Sequence, residues 1–514
     1  MPKANIVEEL RRIAKGEVLS DPWSRKIYSV DASHYTISPE IIVNVKDTEE
    51  ISEICKYASS SNKSITGRGA GTGLLGQSLN TGISLDFTRY MNKVIELEDN
   101  YVVVQPGIVK GVLDKELKKR NKVLPVDPSS SNYCTIGGMV ANNSSGIHAL
   151  GYGSTIDFLE QLEVVYSNGI VNRLSSFPII SLPPNTEDYA KILKLKKLLS
   201  NYALDLIRIK YPKVTKNSCG YRLDSIIDNG NFHPQKLFAA SESTLGIITL
   251  ARFKIVDIPL YRYTLVLGFS NVLLAVKNVP KILQFYPSAL ELLDSSIFSC
   301  EIDNSKNKDI IIDTLDDKGC LLFVEFVGNN LKKIDKTFSD CKKTMSQYSE
   351  IVETSFDAIS SEHIWNSRKN ALNNVMKLTV GSRKPVGLIE DTVVNPFVLF
   401  DFIEFLLLMY KNYKMNYVLY GHAGNGNIHT RPLIDTENVL ELEKLGDLAD
   451  KLFSKVFSLS GTISGEHGDG LGRIDYIKKM YGLQITDLFK SVKRIFDPQN
   501  IMNPGKKIPI RDLI

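Results

Sequence analysis

The chain has 514 residues, with 62 Lys and Arg against 58 Asp and Glu, a net charge of +4 and 43% hydrophobic side chains. No Lys/Arg cluster with interleaved aromatics accompanies that mild charge, which argues against a nucleic-acid partner. The length exceeds the roughly 250–300 residues at which one hydrophobic core stops growing, so more than one domain is expected.

The N-terminal "MPKANIVEELRRIAKGEV" reads as a polar amphipathic helix rather than a signal peptide. A cytoplasmic protein is therefore expected, with docking at the inner face of a membrane through a partner left open. "EIIVNV" (40–45) predicts a strand, and "DTEEISEICKYASSSN" a capped helix. "KSITGRGAGTGLLGQ" is a strand running into a glycine loop, and "GISLDFT" and "YVVVQPGI" are further strands. "SFPIISLPPNT" (176–186) is the best linker-like stretch, followed by a helix to about 209. After "DIPLYRYTLVLGFS" strands alternate with helices of more than ten residues, which predicts an antiparallel α+β sheet with helices on one face. "FVLFDFIEFLLLMY" (397–410) is broken by Asp401 and Glu404 and reads as an amphipathic core helix, not a membrane span. Cys55, Cys134, Cys219, Cys300, Cys320 and Cys341 form no C-x-x-C pair, so an iron–sulfur cluster or cysteine zinc site within the chain is not expected.

Two loops carry a ligand signature. "TGRGAGTGLLGQ" holds five glycines between 67 and 76, which lets backbone N–H groups approach a phosphate. No G-K-[ST] follows, so it is not a Walker loop. "PVDPSSSNYCTIGGMVANNSSGIHALGYGS" (125–154) is long, almost uncharged, and rich in small hydrogen-bonding groups. Together the loops suit a ligand the size of a dinucleotide.

"GRGAGTGLLGQ", "PVDPSS…TIGGMVANNSSG", "KNSCGYRL" (216–223), "SESTLGIIT" (241–249) and "FDPQNIMNPGK" (496–506) resemble flavoproteins of the vanillyl-alcohol-oxidase superfamily. The branch they most resemble is that of the D-lactate dehydrogenases, glycolate oxidases and D-2-hydroxyglutarate dehydrogenases. The resemblance implies an α+β protein with a two-subdomain PCMH-type FAD-binding domain and an α+β cap domain with an antiparallel sheet. The expected parts are an N-terminal helical arm (1–35), the FAD domain (36–257), the cap (258–489) and a C-terminal return to the FAD domain (490–514). By motif, the FAD pyrophosphate would lie against Arg68, Gly69, Ala70, Gly71 and Thr72, with Gly76 and Gln77 close by. Pro128, Thr135, Gly138, Asn142, Ser145 and Gly146 would line the flavin. Glu242, Gly246 and Ile248 would hold the adenine and ribose side, and Asn503 would return to the isoalloxazine. Ser243 stands where the family has glycine. Some relatives attach FAD through a histidine, and His148 is the one histidine in these loops.

Three of only seven histidines fall in two further glycine-rich runs, "YVLYGHAGNGNIHTRPL" (417–433) and "SGEHGDGLGR" (464–473). Asn425-Gly426 is a strong two-residue hairpin signal. With that turn, His422 opposes His429 on one sheet face, and both imidazoles reach one metal ion. Glu466 supplies a carboxylate ligand. Two His and one carboxylate leave positions open for substrate; zinc fits, as do iron, manganese and cobalt. The resemblance agrees, because related 2-hydroxy acid dehydrogenases carry both runs as a metal and catalytic site.

The reaction expected is oxidation of a 2-hydroxy acid, such as D-lactate or glycolate, to the 2-oxo acid by hydride transfer to flavin N5, with His467 as base. For the substrate carboxylate, Arg368 sits where the family has a binding arginine. Arg383, Lys384, Arg431 and Arg473 are further candidates, and Asp391 is a structural residue or a support for a ligand histidine. Electrons would leave to a separate iron–sulfur subunit, a quinone or another acceptor, and pairing of two copies is left open. Three alternatives compete. A transferase like alkylglycerone-phosphate synthase would carry consecutive histidines, absent here. A non-catalytic FAD-binding subunit would tend to lose the cap histidines, all three present here. A metallohydrolase would leave the glycine loops unused.

Overall fold

In a computed structural model, which describes residues 6–181, 189–199, 201–298, 319–375, 379 and 381–513, three larger sheets organise the chain. The first has the strand order Val18–Leu19, Ile41–Asn44, Ile83–Asp86, Ile65–Arg68, the last three running parallel. The crossover between two of them is helix Thr48–Ser61. Asp47 caps it by accepting from the Glu50 N–H, and Ile51, Ile54, Cys55 and Ala58 face the sheet core. Ile41–Asn44 and Ile83–Asp86 are buried at every position, as strands covered on both faces must be.

The second sheet is antiparallel, in the order Val94–Leu97, Tyr101–Val104, Ile247–Lys254, Leu159–Val165, Val171–Ser175. Its central strand comes from 247–254, after the long second loop, and so closes this half of the molecule around both loops. The C-terminal segment returns here: the Ile65 N–H donates to Ile501 O at 2.8 Å, and the Asn503 N–H donates to Ile65 O at 2.9 Å.

The third sheet is antiparallel throughout. Its order is Glu350–Ser355, Tyr261–Phe269, Cys320–Gly328, Ala289–Asp294, Tyr417–His422, Asn427–Asp435, Arg383–Pro385, with Thr392–Val393 also paired to Asn427–Asp435. Helices Val272–Leu283, Leu331–Met345 and Leu399–Tyr413 share a core with one face, through Val276, Phe338, Phe402, Leu265, Leu292 and Val324. The expectation of helices on one face is incorrect. Helix Ala358–Val375 lies on the other face, where Ile364 and Trp365 pack with Val266, Leu321 and Phe323. The cause is in the strands: "TLVLGF" and "CLLFVEF" are apolar at successive positions, so both faces need cover. Beyond that helix the second face carries Glu291, His422 and His429 by strand alternation.

The stretch 176–186 is not simply a linker. Phe177–Pro178 pairs with Asn231–Phe232, and the Phe177 and Phe232 rings pack tilted against each other with centroids 5.4 Å apart; residues 182–188 lie outside the described residues. The expected helix to 209 is two helices, Tyr189–Leu198 and Asn201–Lys210. Cys55, Cys134, Cys219, Cys320 and Cys341 are buried free thiols, and Cys300 lies outside the described residues. No helix among the described residues is long and apolar enough to cross a membrane.

Candidate active site and cofactor cavity

The first glycine loop leaves the parallel sheet at Arg68. A Cβ on Gly69 would stand 2.1 Å from Thr135 Oγ1, and Gly71 sits at φ +68°, so both positions call for glycine. Across from it the second loop forms the other wall of a cavity of about 290 Å³. Gly69, Ala70, Gly71, Thr72 and Gln77 line the first wall; Pro128, Thr135, Gly138, Asn142 and Ser145 line the second. Glu242 and Ser243 complete it, and Arg68 and Ile248 line a smaller adjoining recess. Ser243 holds φ +59°, a left-handed conformation in which glycine would be unstrained. Its hydroxyl faces Gly67 at the cavity wall.

Gly76, Gly146, Gly246 and Asn503 stand behind the walls. Gly76 packs against Leu471 and Tyr35, Gly146 against Asp127, and Gly246 against Phe238. The Asn503 amide donates to Gln77 O at 2.8 Å and to Glu242 O at 2.7 Å, clipping two of the loops together. His148 is held at both ring nitrogens, Nδ1 by Asp127 at 2.6 Å and Nε2 by Glu325 at 2.8 Å.

The far end of the same cavity is formed by Arg431, Glu466 and His467. The hairpin that delivers two more histidines differs from the expected one. Asn425 keeps negative φ within a short 3₁₀ turn, Ala423–Asn425, and only Gly426, at φ +67°, is left-handed. A two-residue type I′ turn needs positive φ at both positions, so the loop is longer. His422 consequently pairs with Asn427, and Tyr420 with His429. The slip is two residues, so His422 and His429 still share a face. Their ring centroids are 5.3 Å apart.

The three imidazoles converge on one atom. Glu466 Oε1 lies 3.2 Å from His422 Nε2, 3.4 Å from His429 Nε2 and 3.8 Å from His467 Nε2. Ligand atoms of Asp391, His429, Glu466 and His467 also fall within 4.8 Å of one another. Behind each ring stands a carboxylate. His422 Nδ1 meets Glu291 at 2.6 Å, and His429 and His467 Nδ1 face Glu390 at 3.6 and 3.4 Å without a hydrogen bond. A carboxylate behind an imidazole whose other nitrogen points inward is the arrangement that orients metal-ligating histidines. Lone-pair donors crowded this closely need protons or a cation between them, so the donor set fits a divalent ion.

Each carboxylate here has its own cation: Glu466 with Lys216 at 3.0 Å, Glu390 with Arg431 at 3.0 Å, Asp391 with Arg473 at 3.4 Å, and Glu291 with Arg368. Burial pushes the Glu466 carboxyl up, but Lys216 and His422 outweigh it and hold it well below its ordinary range. Burial likewise pushes His467 down, yet Asp391 and Glu390 hold it above its ordinary value. Asp391 also fixes the ligand loop, accepting from the N–H groups of Glu466 at 3.1 Å and His467 at 2.8 Å.

The structure divides the carboxylate-binding candidates. Arg368 is 3% exposed and held by Glu291, Arg473 is fully buried against Asp391, and Arg431 reaches the cavity wall. Arg383 lies outside, with a side chain 46% exposed and bonded to Glu441; its neighbour Lys384 pairs through the backbone with Ile434. The sequence reading did not single out Lys216, Glu291 or Glu390. Carboxylates set in otherwise apolar runs, as in "ALELLD" and "VGLIED", were the available signal for the last two.

Residues 39–175 match a family model described as FAD binding domain, and residues 258–507 one described as FAD linked oxidases, C-terminal domain. The chain is 28% identical over 516 residues to D-2-hydroxyglutarate dehydrogenase of Haemophilus influenzae, aligning 96% of itself but spanning about half (50%) of that relative's length. It is 29% identical over 515 residues to glycolate oxidase subunit GlcD of Bacillus subtilis, covering 98% of this chain and 96% of that one. The solved structure of p-cresol methylhydroxylase shares the fold, with a TM-score of 0.70 at 16% identity over 98% of this chain and 96% of that one. With an FAD binding domain followed by the C-terminal domain of the FAD linked oxidases, the chain belongs to the FAD-linked oxidase family.

Proposed function

We propose that the protein is an FAD-dependent dehydrogenase that oxidises a 2-hydroxy acid, of the class of lactate, glycolate or 2-hydroxyglutarate, to the 2-oxo acid. The observation that carries this reading is one continuous cavity running from the glycine loops to Arg431, Glu466 and His467. When bound, FAD supplies a hydride acceptor at flavin N5, and a divalent ion at His422, His429 and Glu466, most simply zinc, supplies a Lewis acid.

The residues of the chain do the rest. His467 lines the cavity and takes the hydroxyl proton, its basicity raised by Asp391 and Glu390. The four carboxylates around the histidines are matched by four cations, so a divalent ion held by His422, His429 and Glu466 would leave the site with net positive charge, suited to an anionic substrate. Arg431, on the cavity wall and braced by Glu390, orients the substrate carboxylate. The cysteines lack cluster spacing, so the electrons would have to go to an acceptor outside these residues, an iron–sulfur partner or a quinone.

The test is an anaerobic bleaching screen. The flavin band of the FAD-loaded protein is followed on adding D- and L-lactate, glycolate, D-2-hydroxyglutarate and longer hydroxy acids, with and without a chelator. Bleaching by one acid that the chelator abolishes is the expected result. A yellow protein bleached by none of them removes the dehydrogenase reading.

A further inference from the structure

We propose that Lys216 and Ser145 are positioning residues that hold Glu466 as a one-oxygen metal ligand and so tie the histidine cluster to the flavin loop. The inference rests on the metal reading given above. The two oxygens of Glu466 face opposite ways. Oε1 looks into the three Nε2 atoms, while Oε2 accepts from Ser145 Oγ at 2.6 Å and from Lys216 Nζ at 3.0 Å. A carboxylate oxygen accepts about two hydrogen bonds, so Oε2 is fully engaged and only Oε1 remains for an ion.

Lys216 is itself fixed. It is 1% exposed, and besides Glu466 its ammonium lies 3.3 Å from Asn427 Oδ1 and 3.4 Å from Gly146 O. Three acceptors match its three protons, and a buried ammonium of this kind cannot swing away without leaving charge unpaired. The acceptors come from three places: the ligand loop, the histidine hairpin and the second flavin loop. Ser145, next to Gly146 in that loop, also forms part of the cavity wall. The flavin wall and the Glu466 carboxylate are thus joined directly by the Ser145 hydrogen bond and indirectly through Lys216 to Gly146 O, so their separation does not depend on domain packing alone. Sharing Oε2 with a cation also makes the carboxylate a weaker donor, which leaves a bound ion more electrophilic.

The test uses FAD-loaded Ser145→Ala and Lys216→Met. Zinc affinity is measured by competition with a chromogenic chelator, and the cobalt-loaded proteins are compared by visible absorption beyond the flavin band. In the FAD-reconstituted proteins, Ser145→Ala should bind zinc about 10–100-fold more weakly, because the carboxylate loses its fixed orientation; Lys216→Met also removes a nearby positive charge, so it is read by its cobalt spectrum. In Lys216→Met the freed Oε2 joins the metal, so the cobalt bands lose intensity as the coordination number rises. A loss of packing alone would not produce that spectral change. Unchanged zinc affinity and cobalt spectrum overturn the proposal. Ser145→Ala keeps the buried ion pair, so it decides the matter even if Lys216→Met does not fold. Wild-type protein that binds no zinc, or binds it equally well as His422→Ala, removes the metal reading itself and this inference with it.

Discussion

Glu291 Oε1 lies 2.6 Å from His422 Nδ1, although the two residues are 131 positions apart in the chain. The other oxygen of Glu291 is bonded to Arg368. One carboxylate therefore orients His422, proposed above as a metal ligand, and neutralises a buried arginine. Glu291→Gln should weaken metal binding by about 10–100-fold, because the imidazole loses its orienting anion. It should also destabilise the fold by about 3–5 kcal/mol, because Arg368 keeps its charge without a partner. Zinc titration and urea unfolding separate the two effects. Unaltered zinc affinity would show that Glu291 serves Arg368 alone.

His467 is proposed as the base, a different role from that proposed for His422 and His429. It lies on the cavity wall, and its Nε2 stands furthest of the three from Glu466. His467→Asn should lower the rate of flavin bleaching by about 10²–10⁴-fold, the usual contribution of a general base, while FAD and metal stay bound. Stopped-flow reduction checks this. A variant that bleaches at the wild-type rate would dismiss His467 as the base.

The sequence places Arg383 ahead of Arg431 as a carboxylate binder, whereas the structure puts Arg431 on the cavity wall and Arg383 outside it. Arg383→Ala removes a half-exposed side chain paired with Glu441 and should leave substrate KM unchanged. Arg431→Lys keeps the charge but loses the two-toothed grip on Glu390, and should raise KM. Steady-state assays on both variants decide it; equal KM values would place the substrate carboxylate elsewhere.

The fold and the whereabouts of the site were legible because they depend on local patterns. Glycine runs announce close backbone approach, apolar alternation announces strands, and the Asn425-Gly426 pair announced a hairpin. The hairpin register was not legible, because Asn425 could follow either a two-residue turn or the 3₁₀ turn it adopts. The conclusion about His422 and His429 survived only because the slip was even. The helix on the second sheet face was foreshadowed by strands with runs of successive apolar residues, a signal outweighed by the alternation of strands and helices. Lys216, Glu291 and Glu390 stayed hidden for a simpler reason. Their partners lie far away in sequence, and nothing in the spacing of a lone lysine or glutamate records a contact over 250 or 131 residues.

The first glycine loop offers a direct test of cofactor fit. A Cβ on Gly69 would overlap the Thr135 hydroxyl, which belongs to the opposite wall of the cavity. Gly69→Ala must push the two loops apart, at a cost of about 1–3 kcal/mol. The variant should purify with little FAD, and its affinity for added FAD should fall by about tenfold or more. Flavin-to-protein absorbance ratios after reconstitution measure this; full occupancy would show that the loops yield without harm.

His148 gives the molecule a pH dependence of definite sign. Its ring joins Asp127 of the second flavin loop to Glu325 of a central cap strand. Burial disfavours the imidazolium, but Asp127 and Glu325 outweigh it and raise the pKa to about 10. A group whose pKa rises on folding binds its proton more tightly in the folded state, so its stabilising effect is complete below its unfolded value near 6.5. The effect is lost as pH climbs through about 10, where the ring gives up its proton and Asp127 and the buried Glu325 lose its counter-charge, leaving Glu325 with Arg262 at 3.5 Å. The thermal midpoint of the wild type should therefore fall more steeply between pH 7 and 10 than that of His148→Gln, which has no proton to lose there. Differential scanning fluorimetry across that range reads the two slopes. Parallel slopes would mean that His148 is neutral in the folded protein, and that the two halves are held together at this point by hydrogen bonds without charge.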